Sequence, residues 1–547
     1  MNSVTSYFSK LTDLVDKICE GKKAWTIVAT TSATTVAVMW VADILSQNES
    51  ITDRTKKKFM KLIRKIPGVQ NKISEEINKL SSSILKDMNG NINNDSYITE
   101  LPAKGWSKEQ VMEIAAKYNA YGAYKWQDGY ASGTVYHGGE ELSQLITEIY
   151  GMSIWTNPLH TDVFPGIRKM EAEVVRMCCS MFKGGSDSCG TMTSGGTESI
   201  IMACKAYRNY AMEVKGIKKP EILVPVTAHA AFDKGAEFLN ISIKHVPVDP
   251  KTMKVDIKAM ERMITKNTCM LVGSAPQFPH GIIDPIESIA CLARKYDIPL
   301  HVDACLGGFL IAFAADAGFN LPKFDFTVDG VTSISCDTHK YGFTPKGSSV
   351  VLYSKKKYRH FQFFVQTDWP GGIYATPAIS GSRPGGIIAA TWGAMIYYGR
   401  EGYIDTTREI LRTAKKLDEG CRKIPGIQVM GQPEVSVVAI TSDKYNIYSL
   451  FDRMTKKGWN LNALQFPNCI HIAVTFLHTK EGVAERFIAD VASISEELIK
   501  NPPEDPGESA AMYGLAQSLP DRSIVNEFAW CYLDACYSSS NNTPNGK

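Results

Sequence analysis

The stretch Ser333-Ile-Ser-Cys-Asp-Thr-His-Lys-Tyr-Gly-Phe-Thr-Pro-Lys-Gly347 sets a lysine beside a histidine directly after a β-prone run, 331–336. Gly342, Pro345 and Gly347 keep a helix from forming behind it. A lysine carried on a polar turn at the end of a buried strand suits a nucleophilic amine. It is a Schiff-base former once its surroundings lower its pKa. Taken alone, such a turn equally describes a solvated surface, so other residues must decide.

Three other clusters bear on the choice. Gly190-Thr-Met-Thr-Ser-Gly-Gly-Thr-Glu-Ser199 runs into a helical stretch, 200–210. Glycines at a helix start let bare amides approach an anion, and the helix dipole favours a phosphate there. The spacing is that of neither a P-loop nor a GxGxxG turn. His301-Val-Asp-Ala304 ends a predicted strand and puts a carboxylate where open α/β sheets bind ligands. Ala228-His229-Ala230 follows another strand and brings an imidazole to the same edge. Each cluster alone reads as a loop. Together they supply a phosphate cradle, an acid for a pyridinium nitrogen, a ring to stack and a strand-end lysine, which is what pyridoxal phosphate requires.

The elements that must position these residues alternate. Strands are predicted at 221–226, 241–248, 268–273, 299–302 and 332–336, and helices at 167–182, 200–210 and 285–296. That order predicts an α/β fold with a mostly parallel sheet covered on both faces. Residues 129–166 are rich in Gly, Tyr, His, Asn and Pro and read as an irregular, function-bearing segment.

A chain of 547 residues that is 44% apolar holds two to four units with a large core. Its 13 cysteines form no CxxC pair or Cys/His grouping, so neither a metal site nor an oxidising compartment is expected. Residues 24–42 carry no charge and have Trp25 and Trp40 near their ends, which predicts a membrane anchor at 24–45, although Thr26, Thr30, Thr31, Ser32, Thr34 and Thr35 dilute it. Nine Lys/Arg against three acids between 51 and 80 then place the rest of the chain on the cytosolic side. That segment, within 46–95, reads as a basic helical stalk interrupted at Pro67, lying against anionic lipid. With the basic charge confined there, the body is slightly acidic and is not a nucleic-acid binder. The expected order is a tail at 1–23, the anchor, the stalk, a segment at 96–165 with a substrate loop, a large domain at 166–395, a small α+β domain at 396–500 and a tail at 501–547.

The glycine turn, His301-Val-Asp-Ala304 and Asp337-Thr-His-Lys-Tyr-Gly342 closely resemble the motifs of the sphingosine-1-phosphate lyases. These are fold-type I pyridoxal-phosphate enzymes related to the group II decarboxylases. The likeness runs from the anchor into the tail, including Ser509-Ala-Ala-Met-Tyr-Gly-Leu-Ala-Gln-Ser-Leu-Pro-Asp-Arg522. It implies Lys340 as the cofactor lysine, Asp303 at the pyridine nitrogen and His229 on the ring. Gly196, Thr197 and His339 would hold the cofactor phosphate. Gly381 and Ser382 would reach that phosphate from a neighbouring subunit, making a homodimer. Tyr136, Asn157 and His160 would hold the phosphate of a phosphorylated long-chain base, with Lys346 near the reacting centre. The implied reaction is retro-aldol cleavage to a long-chain aldehyde and ethanolamine phosphate, at the endoplasmic reticulum membrane. Lys346, Tyr136 and the cofactor phosphate all remain candidates for the base at the C3 hydroxyl. A pyridoxal-dependent amino-acid decarboxylase would share every cofactor residue, and an inactive membrane-anchored scaffold would share the fold.

Overall fold

The computed structural model describes residues 20–46, 66–92, 95–122, 124–503 and 523–539, with the isolated positions 17 and 55. It divides into a unit of residues 119–515 and a smaller unit of residues 1–118 and 516–547.

The larger unit is built on a seven-stranded sheet in the order β1-β7-β6-β5-β4-β2-β3. Its strands are β1 (Cys189–Thr193), β2 (Glu221–Pro225), β3 (Ser242–Val246), β4 (Thr268–Ser274), β5 (Leu300–Asp303), β6 (Val331–Cys336) and β7 (Ser349–Tyr353). All seven residues of β4 and all four of β5 are buried, as expected for strands covered on both faces. From β6 to β3 every pairing is parallel, and helices cross between the strands. The expectation of a mostly parallel sheet left out β1 and β7. β7 pairs antiparallel with both β6 and β1, so the sheet is mixed. Neither strand alternates in polarity, because both lie inside the core, and so periodicity gave no sign of them.

A hairpin, β8 (Phe364–Gln366) and β9 (Tyr374–Thr376), leads into the helix Gly385–Cys421. This helix breaks at Gly399, where φ is 56° and ψ is −172°. The boundary expected at 395/396 therefore lies within one kinked helix. Beyond it, an antiparallel sheet of β10 (Gln428–Val429), β11 (Val437–Thr441), β12 (Asn462–Leu464) and β13 (Cys469–Ala473) runs in the order β10-β11-β13-β12. The segment expected to be irregular contains a helix, Glu140–Ser153, so that expectation holds only for its flanks. Its apolar residues Leu142, Ile146 and Ile149 recur at helical spacing and pack into the core, a pattern masked by the glycine- and proline-rich surroundings.

In the smaller unit, Pro67 begins the helix Pro67–Asn91. Proline is favoured at a first helical position because its missing amide would have no partner there. That helix packs on Ser523–Cys536, a helix within the expected tail. The uncharged run forms the helix Ala24–Ser46, with Trp25, Val28, Val36, Val38 and Met39 exposed. No helix among the described residues is long and apolar enough to cross a membrane, which corrects the expected span. The threonines and serine that dilute the run are the physical reason. Most of the basic stretch before Pro67, and Ser509 to Arg522, lie outside the described residues.

Phe182 is fully buried, edge-to-face with Phe324 at 5.7 Å. Phe182→Ala should cost about 3–5 kcal/mol through lost contacts and the cavity left behind. A clear fall in the urea midpoint checks this, and an unchanged midpoint would show that the site collapses freely.

Candidate active site

β7 runs against its neighbours, so β1 points the same way as β6. The loops after β1, β2, β5 and β6 therefore open on one edge, the carboxyl edge where such sheets bind ligands. Ser194 to Thr197 leave β1, His229 follows β2, Asp303 ends β5, and Asp337 to Lys340 follow β6.

The glycine turn caps the helix Gly196–Glu213. The amides of its first turn have no partner within the helix. Glu198 braces the turn: its Oε2 accepts from the amide and hydroxyl of Ser194, both at 2.7 Å, and its Oε1 accepts from the Ile379 amide at 3.0 Å. This carboxylate therefore holds the chain just before Gly381 and Ser382 against the turn. A side chain at Gly196 would meet Asp337 at 2.8 Å and the Cys305 sulfur at 3.0 Å, so only glycine lets the backbone approach so closely.

Asp303 is buried. Its Oδ1 accepts from the Cys305 amide at 3.0 Å and faces the Ser335 hydroxyl at 3.4 Å. Its neighbour His301 lies between the hydroxyls of Ser333 and Ser335, at 2.7 and 3.0 Å, and burial pushes its pKa down to about 4. His301 is thus a neutral part of the sheet that holds Ser335 beneath Asp303. His229 is exposed, and its Nδ1 accepts from the Ala231 amide at 3.0 Å, which leaves the proton of the neutral ring on Nε2. His339 is fixed in the same way, with Nδ1 accepting from the Ser348 amide at 3.1 Å.

Lys340 meets a partner that sequence reasoning missed. Its Nζ lies 2.9 Å from Oδ2 of Asp337, which is 2% exposed. Burial alone would push Lys340 down, but the Asp337 carboxylate outweighs it and holds the lysine well above its ordinary range. Burial alone would raise Asp337, but Lys340 and then His339 hold it well below the usual carboxylate range. The expectation of a lysine with a lowered pKa is therefore reversed, and the cause is this ion pair. The only sequence signal was an acid three places before the lysine, where a turn returns the chain on itself.

Tyr136 and Lys346 come together here. The Lys346 ammonium lies 4.7 Å from the centroid of the Tyr136 ring, and the lysine also reaches the His339 carbonyl at 3.4 Å. Burial pushes the Tyr136 hydroxyl up to about 12, with Lys340 pulling the other way. Desolvation and then the Lys340 ammonium lower Lys346. Tyr136 owes its place to the small sheet. Ala131 bridges Asn460, the Ser132 hydroxyl donates to Asn462 and accepts from the Ala473 amide, and the Phe476 amide donates to the Tyr136 carbonyl.

Asn157 stands elsewhere. Its side chain donates to the Ser382 hydroxyl at 3.0 Å and accepts from the Arg383 amide at 3.2 Å. His160 is exposed, and its amide donates to the Asn157 carbonyl. The chain thus gathers two groups: Tyr136 and Lys346 beside Lys340, and Asn157 and His160 beside Ser382.

These residues fit pyridoxal phosphate. A helix start behind a glycine turn, a strand-end carboxylate, an open imidazole and an amine meet on one edge, and Oδ1 of buried Asp337 has no hydrogen-bond partner.

The pyridoxal-dependent decarboxylase conserved domain matches residues 94–442. The sphingosine-1-phosphate lyase of Drosophila melanogaster is 49% identical over 527 residues, covering 96% of this chain and 97% of that protein. Sphingosine-1-phosphate lyase 1 of Rattus norvegicus is 49% identical over 535 residues, covering 98% and 94%. The solved sphingosine-1-phosphate lyase of Burkholderia pseudomallei is 38% identical, with a TM-score of 0.71 over 77% of this chain and 96% of that one. Glutamate decarboxylase of Lactobacillus brevis, 19% identical with a TM-score of 0.64, shares the fold alone. With its cofactor motifs on one sheet edge and relatives of this identity along nearly its whole length, the chain belongs to the sphingosine-1-phosphate lyases, within the pyridoxal-dependent decarboxylase family.

Proposed function

We propose that this protein uses pyridoxal 5'-phosphate to cleave phosphorylated sphingoid bases, sphingosine 1-phosphate and dihydrosphingosine 1-phosphate, between C2 and C3. The products are a long-chain aldehyde and ethanolamine phosphate. The observation that carries this reading is the likeness to sphingosine-1-phosphate lyases along nearly the whole chain. The amino-acid decarboxylase reading has only a fold likeness behind it.

When bound, the cofactor withdraws electrons from the bond beside the amine-bearing carbon. Lys340 supplies the amine that attaches it. Asp303, held by the Cys305 amide and the Ser335 hydroxyl, would pair with the pyridine nitrogen, and His229 would face the ring. The turn at Gly196 and Thr197, with His339, would hold the cofactor phosphate. Lys346 and Tyr136, which meet beside Lys340, are the side-chain candidates for the C3 hydroxyl proton. Because Asn157 and Ser382 are hydrogen-bonded to each other, they serve one site as a pair. In the homodimer we propose, Gly381, Ser382, Asn157 and His160 of one protomer complete the site of the other.

Lys340→Ala should abolish aldehyde release and the visible cofactor–lysine absorption band, and should also lower the melting temperature, because it leaves the buried Asp337 carboxylate without its partner. Substantial hexadecenal from this variant would refute the assignment, and carbon dioxide released from amino acids by the wild type would favour a decarboxylase.

His160→Ala should weaken use of the phosphorylated base by roughly tenfold or more, the scale of one charge-assisted hydrogen bond of about 1.5–3 kcal/mol. The absorption band should stay unchanged. A selective rise in KM with unchanged melting supports phosphate recognition, and parallel loss of activity and melting temperature points to packing instead.

The same proposal places the protein at the endoplasmic reticulum membrane with its catalytic part facing the cytosol. The exposed apolar side chains of Ala24–Ser46 and the basic stretch at 51–80 support it, and the helix's dilution by hydroxyls weighs against a full span. Removing residues 1–50 should release the protein from membranes while it still cleaves substrate in detergent, since no site residue lies there. A truncated protein that binds cofactor but is inactive would give the segment a role beyond tethering.

A further inference from the structure

Asp337 has no part in the reaction described above, yet its position gives it one. It lies on the turn after β6, 2% exposed, with Oδ2 2.9 Å from Lys340 Nζ and 3.6 Å from His339 Nε2. Its other oxygen has no hydrogen-bond partner. The glycine turn leaves room for this carboxylate, since a side chain at Gly196 would come within 2.8 and 2.9 Å of its two oxygens. The titratable groups that bear on Lys340 from around it are Tyr136, Cys305 beyond β5, Asp337 and, more distantly, Lys346. The thiol and the phenol are both held neutral by burial, Cys305 well above its ordinary value and Tyr136 at about 12. Asp337 is therefore the negative charge in contact with the lysine amine.

We propose that Asp337 is a positioning residue that holds Lys340 as an ammonium, aimed at the sheet edge, whenever that nitrogen is not bonded to the cofactor. It thereby governs the exchange of lysine for the substrate amine. The inference rests on the pyridoxal-phosphate reading of this edge. In the exchange, the bond from Nζ to the cofactor's aldehyde-derived carbon breaks as the bond from the substrate nitrogen forms. A protonated imine nitrogen carries one proton and a free ammonium three. The arriving ammonium thus gives up two protons, Lys340 gains two, and the net charge is unchanged. Without the carboxylate the released lysine would be a buried, unpaired ammonium, so it would shed its proton and compete to return.

The test uses holoenzyme carrying Asp337→Asn, with Asp337→Ser as a second variant, and three readouts. These are thermal melting, the pH titration of the visible cofactor–lysine band, and the stopped-flow rate at which ethanolamine phosphate displaces the lysine. The titration midpoint of the band should fall by about 1–3 units, the effect of losing an opposite charge in contact. Displacement of the lysine should slow by roughly tenfold or more while the band itself persists. Midpoints and displacement rates like wild type in whichever variant melts normally would overturn the proposal. So would two variants that lose the fold together, since Asp337 would then be a structural residue. Wild-type enzyme without band or aldehyde would overturn the underlying function instead, and the two failures are thus told apart.

Discussion

The reversal of a single strand sets the geometry of everything that follows. A parallel sheet delivers the ends of its strands to one edge, but a glycine turn after β1 reaches that edge only if β1 also points that way. Because β7 runs antiparallel to both β6 and β1, the turn at Ser194 to Thr197 opens beside the lysine turn after β6. The Thr193–Ser349 and Cys336–Val350 pairings fix that proximity in register. A one-residue slip would turn every side chain to the opposite face. Hydroxyls seal the junction: Ser199 bonds both Thr193 and Ser349, and the Ser349 hydroxyl donates to the Cys336 carbonyl.

The electrostatics follow from that enclosure. A buried ammonium or carboxylate alone is costly to hold, and each becomes tolerable here because the other is within 2.9 Å. The glycine at position 196 leaves the space for this pair. Nearby groups that could compete for protons are made inert by burial, Cys305 and Tyr136 upward and His301 downward. The Lys340–Asp337 pair thus lies beside a thiol and a phenol that burial keeps neutral.

The remaining parts of the site depend on long-range stitching. Tyr136 reaches Lys346 because the chain at 130–133 is bonded to Asn460, Asn462 and Ala473 of the small sheet. Gly133 has a φ of +61°, and a side chain there would lie 2.9 Å from the Ala473 Cβ, so this seam needs a glycine. Asn157 is joined in the same manner to Ser382 and Arg383.

Local chemistry made much of this legible in the sequence. β2, β4, β5 and β6 are short runs bounded by turns, and His229, Asp303 and Lys340 follow β2, β5 and β6, so their common edge follows from strand direction, whereas Gly196 follows β1 and reaches that edge only through the reversal of β7. Helical spacing marked 167–182, realised as Pro165–Met181. The tertiary structure alone decided the rest. β1 and β7 carry no periodic signal because both faces are buried, and the break at Gly399 within Gly385–Cys421 is a matter of backbone angles. The helix Ala24–Ser46 forms as its uncharged run predicts, but its threonines and serine keep it from the apolarity of a span. The protonation of Lys340 was beyond sequence reasoning. A lysine's pKa depends on which charge burial leaves beside it, and only the fold brings Asp337 to 2.9 Å.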